Sequence, residues 1–245
     1  MNRLSPNFSM EEFDSNTEDT VGSWLEMMLD ERFQDAADLC DSFIEKYRAG
    51  FQERALKIES NEYNDLLVVL VFIKGLFDYV QLCKLTSSES WYNNKDYIES
   101  AWIKLCDCRE RLVFSSQSCR GEAIDLVFRS LSKLEEFYLH TFGAGNYVSP
   151  GIEFEGGLCS ICNVDFRACS HVPGGLYEGA ICTCRPINPS FNHLALVDTP
   201  KDPRCRIWSW NLQENPDKSV TTMMPILFAF SVDDFLRDSS TPSSI

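Results

Sequence analysis

The hydrophobic pattern of this 245-residue chain changes near residue 145, and that change limits the folds it can adopt. Before this point, apolar residues recur at steps of three and four, the spacing that lines one face of an α-helix. After it, long helical stripes end, Gly, Pro and Cys become frequent, and short extended segments remain. The sequence therefore predicts an α+β protein: an N-terminal α-helical bundle of four or five helices, followed by a small zinc-stabilised β-rich module.

Apolar stripes locate the helices of the predicted bundle. They run over residues 33–51, 98–112 and 124–138, and the turn-rich segments TSSESWYNN and SSQSCRG precede the second and third stripes. Residues 66–77 are apolar on nearly all sides, which predicts the central and most buried helix. The glycines of HTFGAG are suited to end the last helix in a left-handed cap.

The remaining segments set the predicted domain limits. Strands are expected at NYVS, GIEFE, LALVD, CRIWSW and MMPILFAF, and a last short helix at SVDDFLRD. We predict a flexible acidic leader over residues 1–20, a helical domain over 21–145, a zinc-binding β-rich domain over 146–236 and a disordered tail over 237–245.

The segment CSICNVDFRACSH, residues 159–171, contains a dense group of metal-binding residue types. Cys159 and Cys162 have C-x2-C spacing, which lets one tight turn direct two thiolates at one ion. Cys169 and His171 form a C-x-H pair, and the six residues between the pairs are enough to bring them together. Zinc binds four such ligands in a tetrahedron at about 2.0–2.3 Å. The sequence therefore predicts a Cys3His zinc site.

Four protein ligands close the zinc coordination shell and leave no position for water, which favours a structural over a catalytic site. Cys182 and Cys184, in YEGAICTC, are reserve ligands, and one of them could replace His171. The alternatives for the cluster are thiols without metal, a redox or disulfide role, and an iron–sulfur cluster.

The segment GNYVSPGIEFEGGLCSICNVDFRACSHVPGGLYEGAICTC, with HLALVDTPKDPRCRIWSW after it, resembles a zinc-binding module of uncharacterised bacterial and phage-linked proteins. The resemblance covers about residues 145–210 and leaves out the helical half. It implies a bacterial origin and implies that the C-x2-C and C-x-H pairs hold zinc. The motif also includes a turn formed by Pro173, Gly174, Tyr177 and Gly179.

Charge and hydropathy narrow the possible partners. The net charge is −15, from 37 acidic and 22 basic residues, whereas a protein that grips phosphate backbones needs a basic face. The N-terminus has no apolar signal segment, and the apolar run 66–73 is far shorter than the roughly 20 residues that span a bilayer. We therefore expect a cytoplasmic protein with no membrane segment and with reduced thiols.

The chain lacks the motifs H-E-x-x-H, G-x-S-x-G and a P-loop lysine. We therefore predict a soluble intracellular interaction or adaptor protein that binds another protein. One alternative is an enzyme with an anion-binding cleft between the two domains, and another is a nucleic-acid-associated phage or defence protein. The residues proposed for these alternatives are Arg167, Arg185, Arg204, Arg206 and His193 for the cleft, and the same arginines with Trp208 and Trp210 for nucleic acid.

The arginines provide a way to discriminate between these functions. If they converge on one concave face, the enzyme and nucleic-acid alternatives gain support. If they scatter and pair with Asp165, Asp198 and Asp202, the adaptor function is favoured.

Overall fold

The computed structural model describes residues 8–52, 59–212 and 215–223. Its first part contains five α-helices and confirms the predicted bundle. They are α1 (Met10–Leu29), α2 (Phe33–Gln52), α3 (Ser60–Thr86), α4 (Lys95–Ser115) and α5 (Glu122–Phe142), with a 3-10 turn at Trp91–Asn93 before α4.

The helix ends follow local capping chemistry. The Asn94 side chain accepts hydrogen bonds from the backbone N–H groups of Asp96 and Tyr97, at 3.0 and 3.4 Å, which begins α4. Gly143 ends α5 with a φ of +75°, and its N–H donates to the carbonyl oxygen of Leu139 at 3.0 Å. The predicted glycine stop is therefore confirmed, because a left-handed backbone suits glycine best.

The flexible leader predicted for residues 1–20 is wrong for residues 10–20, which form the first half of α1. Ser9 caps this helix by accepting from the backbone N–H of Glu12 at 3.2 Å. Phe13 is fully buried, with its ring edge-to-face against Tyr47 at 4.8 Å. The sequence analysis missed this helix because the segment is rich in acidic residues and has no regular apolar stripe. Its buried positions, Phe13, Thr20 and Trp24, are few and widely spaced.

Helix α3 lies at the centre of the bundle, as predicted. Fully buried positions recur along it: Leu66, Leu67, Leu70, Val71, Ile73, Leu76 and Val80. By length and composition alone the segment Asn61–Thr86 could cross a membrane, but 78% of its most apolar 18-residue stretch is buried inside the fold. That burial is what a core helix of a bundle requires.

The second part of the chain is built from short antiparallel strands. They are β1 (Asn146–Glu153), β2 (Gly156–Cys159), β3 (Leu176–Tyr177), β4 (Ala180–Ile181), β5 (Cys184–Ile187), β6 (Ser190–Val197), β7 (Arg206–Leu212) and β8 (Asn215–Met223). One sheet has the order β6-β1-β7-β8, and β2 pairs with β5 and β3 with β4 in two small ribbons.

Most predicted strands are present. NYVS and the start of GIEFE form β1, LALV ends β6, and RIWSW lies in β7. Strand β8 was not predicted, since NPDKSVTTM is polar and carries no alternating apolar pattern. The predicted strand MMPILFAF, apart from Met223 at the end of β8, falls outside the described residues, as do the helix SVDDFLRD and the tail over 237–245.

The two parts share one hydrophobic core. Trp208 of β7 packs edge-to-face against Trp102 of α4, with ring centroids 6.3 Å apart. The indole N–H of Trp102 donates to the carbonyl oxygen of Pro203 at 2.7 Å. Buried Arg206 donates to the carbonyl oxygens of Phe142 and Gly143 at the end of α5. The division into separate domains near residue 145 stays a prediction.

Candidate metal centre

A tight backbone turn positions the first ligand pair. Cys159 ends β2, and its carbonyl oxygen accepts from the N–H of Asn163 at 2.9 Å. The N–H of Cys159 donates to the carbonyl oxygen of Val164 at 2.8 Å, so the chain reverses within five residues. Asn163 adopts a φ of +60°, a left-handed conformation that asparagine tolerates better than most residues. This turn brings Cys162 back beside Cys159.

A second turn, built on Asp165, returns the other ligand pair. The carbonyl oxygen of Asp165 accepts from the N–H groups of Ala168 and Cys169, at 2.9 and 3.1 Å. Its carboxylate accepts from the backbone N–H and the guanidinium of Arg167, both at 2.9 Å. These hydrogen bonds lower the pKa of Asp165 to about 2. The Asp165 carboxylate that holds the turn is therefore charged at neutral pH.

The structure brings the four predicted side chains together. The ligand atoms of Cys159, Cys162, Cys169 and His171 all lie within 4.8 Å of one another. Cys159 Sγ is 3.7 Å from His171 Nδ1. A tetrahedral zinc ion separates its sulfur and nitrogen ligand atoms by about 3.5–3.6 Å. The group is therefore compatible with a metal such as zinc, and the ligand roles themselves stay a prediction.

The surroundings of Cys159 favour a thiolate. Burial alone would raise its pKa, but hydrogen bonds from the backbone N–H groups of Cys162 and Ile161 lower the pKa of the Cys159 thiol below its ordinary value. Burial, and then the neighbouring Cys159 sulfur, raise the pKa of Cys169. Thiolates are the form of cysteine that binds metal, so a cation here would relieve the repulsion between these sulfurs.

The turn after the ligands holds His171 in place. The His171 ring packs edge-to-face on Tyr177, with centroids 4.5 Å apart, and the Tyr177 hydroxyl accepts from the N–H of Val172 at 2.9 Å. Gly174 donates to the carbonyl oxygen of Cys182 at 2.9 Å, and the N–H of Cys182 donates to Gly175 at 2.8 Å. The motif PGGLYEG thus packs over the ligand loop.

The two reserve cysteines take different positions. Cys182 Sγ is buried and lies 3.7 Å from Cys159 Sγ, but Cys182 is not a member of the four-residue group. Cys184 pairs directly with Cys159 across the β2–β5 ribbon. Its sulfur lies over Gly157, where an added Cβ would come within 2.1 Å of it. Position 157 therefore requires glycine, because any larger residue would clash with the Cys184 sulfur. Like Cys182, Cys184 is not a member of the Cys3His group.

The arginines proposed for a cleft contact different partners. They are engaged separately: Arg167 with Asp165, Arg185 with Asn163, Arg204 with Asp202 and Asp107, and Arg206 with the end of α5. His193 lies on the edge strand β6 opposite Gly151, outside the Cys3His group. Trp208 is buried in the shared core, and the side chain of Trp210 lies outside the described residues.

A buried ionic network between α3 and α4 was missed in the sequence analysis. Asp78 is fully buried and pairs with Lys74 at 3.3 Å, with Lys104 at 3.8 Å and with Arg111. A signal was present in the chain, since Lys74 and Asp78 stand one helical turn apart in an otherwise apolar segment. Such a pair inside a core helix predicts a buried ion pair.

Comparison with protein families, curated proteins and solved structures gives no match. Of the resemblance to a bacterial and phage-linked zinc-binding module, the structure shows the Cys3His group and the turn that follows it. Membership of that family stays a prediction.

Proposed function

We propose that this protein is a soluble, cytoplasmic zinc-binding interaction protein whose Cys3His site is structural. The observation that supports the metal site is the convergence of four soft ligand atoms within 4.8 Å of one another. A complete set of protein ligands leaves no open position for water or substrate, which is the arrangement of a structural zinc site.

The packing around the site supports a structural role. Over residues 149–204, the only buried side chains are those of Cys159 and Cys182. Some fifty residues therefore fold with almost no apolar core. A bound metal supplies folding free energy directly, and small modules with thin cores depend on such support.

An interaction function is supported by the surface of the β-rich part. Large apolar side chains are exposed on it, among them Phe154, Val172, Phe191, Leu194 and Leu196. Exposed apolar patches on soluble proteins often mark sites of interaction with other molecules. The separate engagement of the four arginines supports the interaction function over an anion-binding cleft or a nucleic-acid surface.

The test is affinity isolation of the full chain from its native cells, with bound proteins identified by mass spectrometry. We expect a specific protein to be retained by the wild-type chain and lost when Cys159→Ser disrupts the site. The matched control Cys184→Ser alters a cysteine outside the group and should retain the partner. Failure of the wild-type chain to retain any protein would contradict the proposed function.

A further inference from the structure

Strand β6 is an open edge of the four-stranded sheet. It stands at one end of the order β6-β1-β7-β8, and no strand in the described part of the chain pairs with its outer side. Its sequence, SFNHLALV, has eight residues and contains no acidic residue, lysine, arginine or proline. Edge strands are usually protected from pairing by charge, proline or short length. Strand β6 lacks these three protections, although a bulge at Asn192 interrupts its pairing with β1.

The outer face of β1 and β6 is apolar. Directly opposed residues share a face, and residues two apart along a strand share it too. The pairs on the outer face are Val148 with Leu196, Pro150 with Leu194, and Ile152 with Phe191. A register shift after Gly151 leaves Asn192 without a directly opposed residue on β1 and keeps Phe191 on this face.

Most of this face is open to solvent. Leu196 is 75% exposed, Phe191 67%, Leu194 48% and Ile152 38%. The opposite face carries Tyr147 and Val197, which pack against the helical core. Val148 is buried, so the exposed apolar strip runs along β6 and the end of β1, while the opposite side of the sheet is anchored on the helical core.

Charge is placed at one end of the strip. Glu153 accepts from the side chain of Asn192, and Glu155 accepts from that of Asn188 at 2.8 Å. Both carboxylates lie beside the start of β6, near Phe191. The strands β1 and β6 contain no lysine or arginine, and the whole chain carries a net charge of −15. A partner with basic residues at this end would be electrostatically complementary.

We propose that β6 and its outer face bind an extended peptide segment of a partner protein, which adds to the sheet as an antiparallel strand. Alternate apolar side chains of the peptide would contact Leu194, Leu196 and Phe191, and lysine or arginine at its carboxyl end would lie near Glu153 and Glu155. This mode combines backbone hydrogen bonds with side-chain pockets for specificity. A second copy of this strongly acidic chain is the less complementary occupant. The inference rests on the proposed interaction function.

The direct test uses two labelled peptides, Thr-Val-Thr-Val-Thr-Val-Lys-Lys and its reversed sequence, with binding measured by fluorescence anisotropy. An antiparallel added strand places its carboxyl end beside the start of β6, so the first peptide should bind more tightly. The variant Leu196→Lys should weaken its binding at least tenfold. The control Leu29→Lys changes a leucine with the same 75% exposure on α1 and should bind as the wild type does.

A charge reversal sharpens the test. The double variant Glu153→Lys with Glu155→Lys should weaken binding of the lysine peptide and improve binding of a peptide with glutamates in its place. Unchanged circular dichroism melting of each variant ensures that the fold is intact. Equal binding by Leu196→Lys, or no binding of either peptide by the wild-type chain, would overturn the proposal. Self-association of the wild-type chain that Leu196→Lys abolishes would also overturn it, in favour of a second copy.

The same variants separate this inference from the proposed function. If a partner isolated from cells is retained equally by Leu196→Lys and the wild-type chain, the docking strand is wrong and the interaction function stands. If neither chain retains a partner, the interaction function itself fails.

Discussion

The helical part and the ligand loops are stabilised by different means, and their cysteines show the difference. In the helices, Cys40, Cys106 and Cys108 are buried, and burial raises their pKa, which keeps them as neutral thiols in an apolar core. In the loops, backbone N–H groups counter burial and lower the pKa of Cys159. The same residue type thus serves as core packing in one region and as a candidate metal ligand in the other. The difference comes from the backbone N–H groups that surround Cys159.

This difference predicts that the two regions lose their structure independently when the metal site is broken. The substitution Cys159→Ser removes the buried candidate ligand and should unfold residues 156–187, where almost nothing else is buried, while helical circular dichroism persists. Hydrogen exchange followed by mass spectrometry would show lost protection in the loops alone.

Cys184→Ser is the matched control, because its sulfur lies outside the four-residue group. We expect it to keep both metal and protection. Full protection of residues 156–187 in Cys159→Ser would contradict a structural role for the site.

A second substitution, Asp78→Asn, tests the helical region. Asp78→Asn leaves three buried or nearly buried cations without their shared carboxylate, and breaking a buried ion pair on one side costs about 3–5 kcal/mol. Urea unfolding followed by helical circular dichroism would measure the loss, and metal content should not change.

The control for this change is Asp38→Asn on the exposed face of α2, where the carboxylate accepts from the Gln34 side chain. Its effect should stay within about 0.5 kcal/mol. A loss for Asp78→Asn as small as that of the control would mean that the network contributes little to stability.

The smallest effect expected is a pH dependence of the helical region. Burial raises the pKa of Cys83 and of Cys119 to about 11, above the value of about 8.5 in an unfolded chain. Between about pH 8.5 and pH 11 the folded state therefore binds more protons than the unfolded state does. The stability contribution of these thiols is fully present below about pH 8.5 and is lost as the pH rises towards 11.

Each thiol should lower the unfolding free energy by at most about 1.4 kcal/mol per pH unit in this window. Urea unfolding at pH 8, 9 and 10 would measure the slope, and Cys83→Ala should flatten it. An identical slope in that variant would show that other groups cause the alkaline destabilisation.

The sequence predicted those features whose signals are local. Helical stripes fixed α2, α4 and α5, and the ligand spacing predicted the cluster, because both pairs lie within thirteen residues. Strand β8 was missed, since its polar sequence gains its structure only by pairing with β7.

Contacts between residues far apart in the chain could not be predicted from local sequence patterns either. Arg204 pairs with Asp107, and Trp102 donates to Pro203, each across about a hundred residues of chain. No local spacing indicates such a partner. The arginines therefore looked available for a cleft in the sequence, although the fold engages them one by one.

The most direct test of the account is the metal content of the purified full chain, measured by elemental mass spectrometry together with a thiol count before and after chelation. We predict one zinc ion per chain and the unmasking of three thiols, those of Cys159, Cys162 and Cys169, when the metal is removed. A chain without metal, whose three loop thiols react freely while residues 156–187 remain folded, would contradict the structural zinc site.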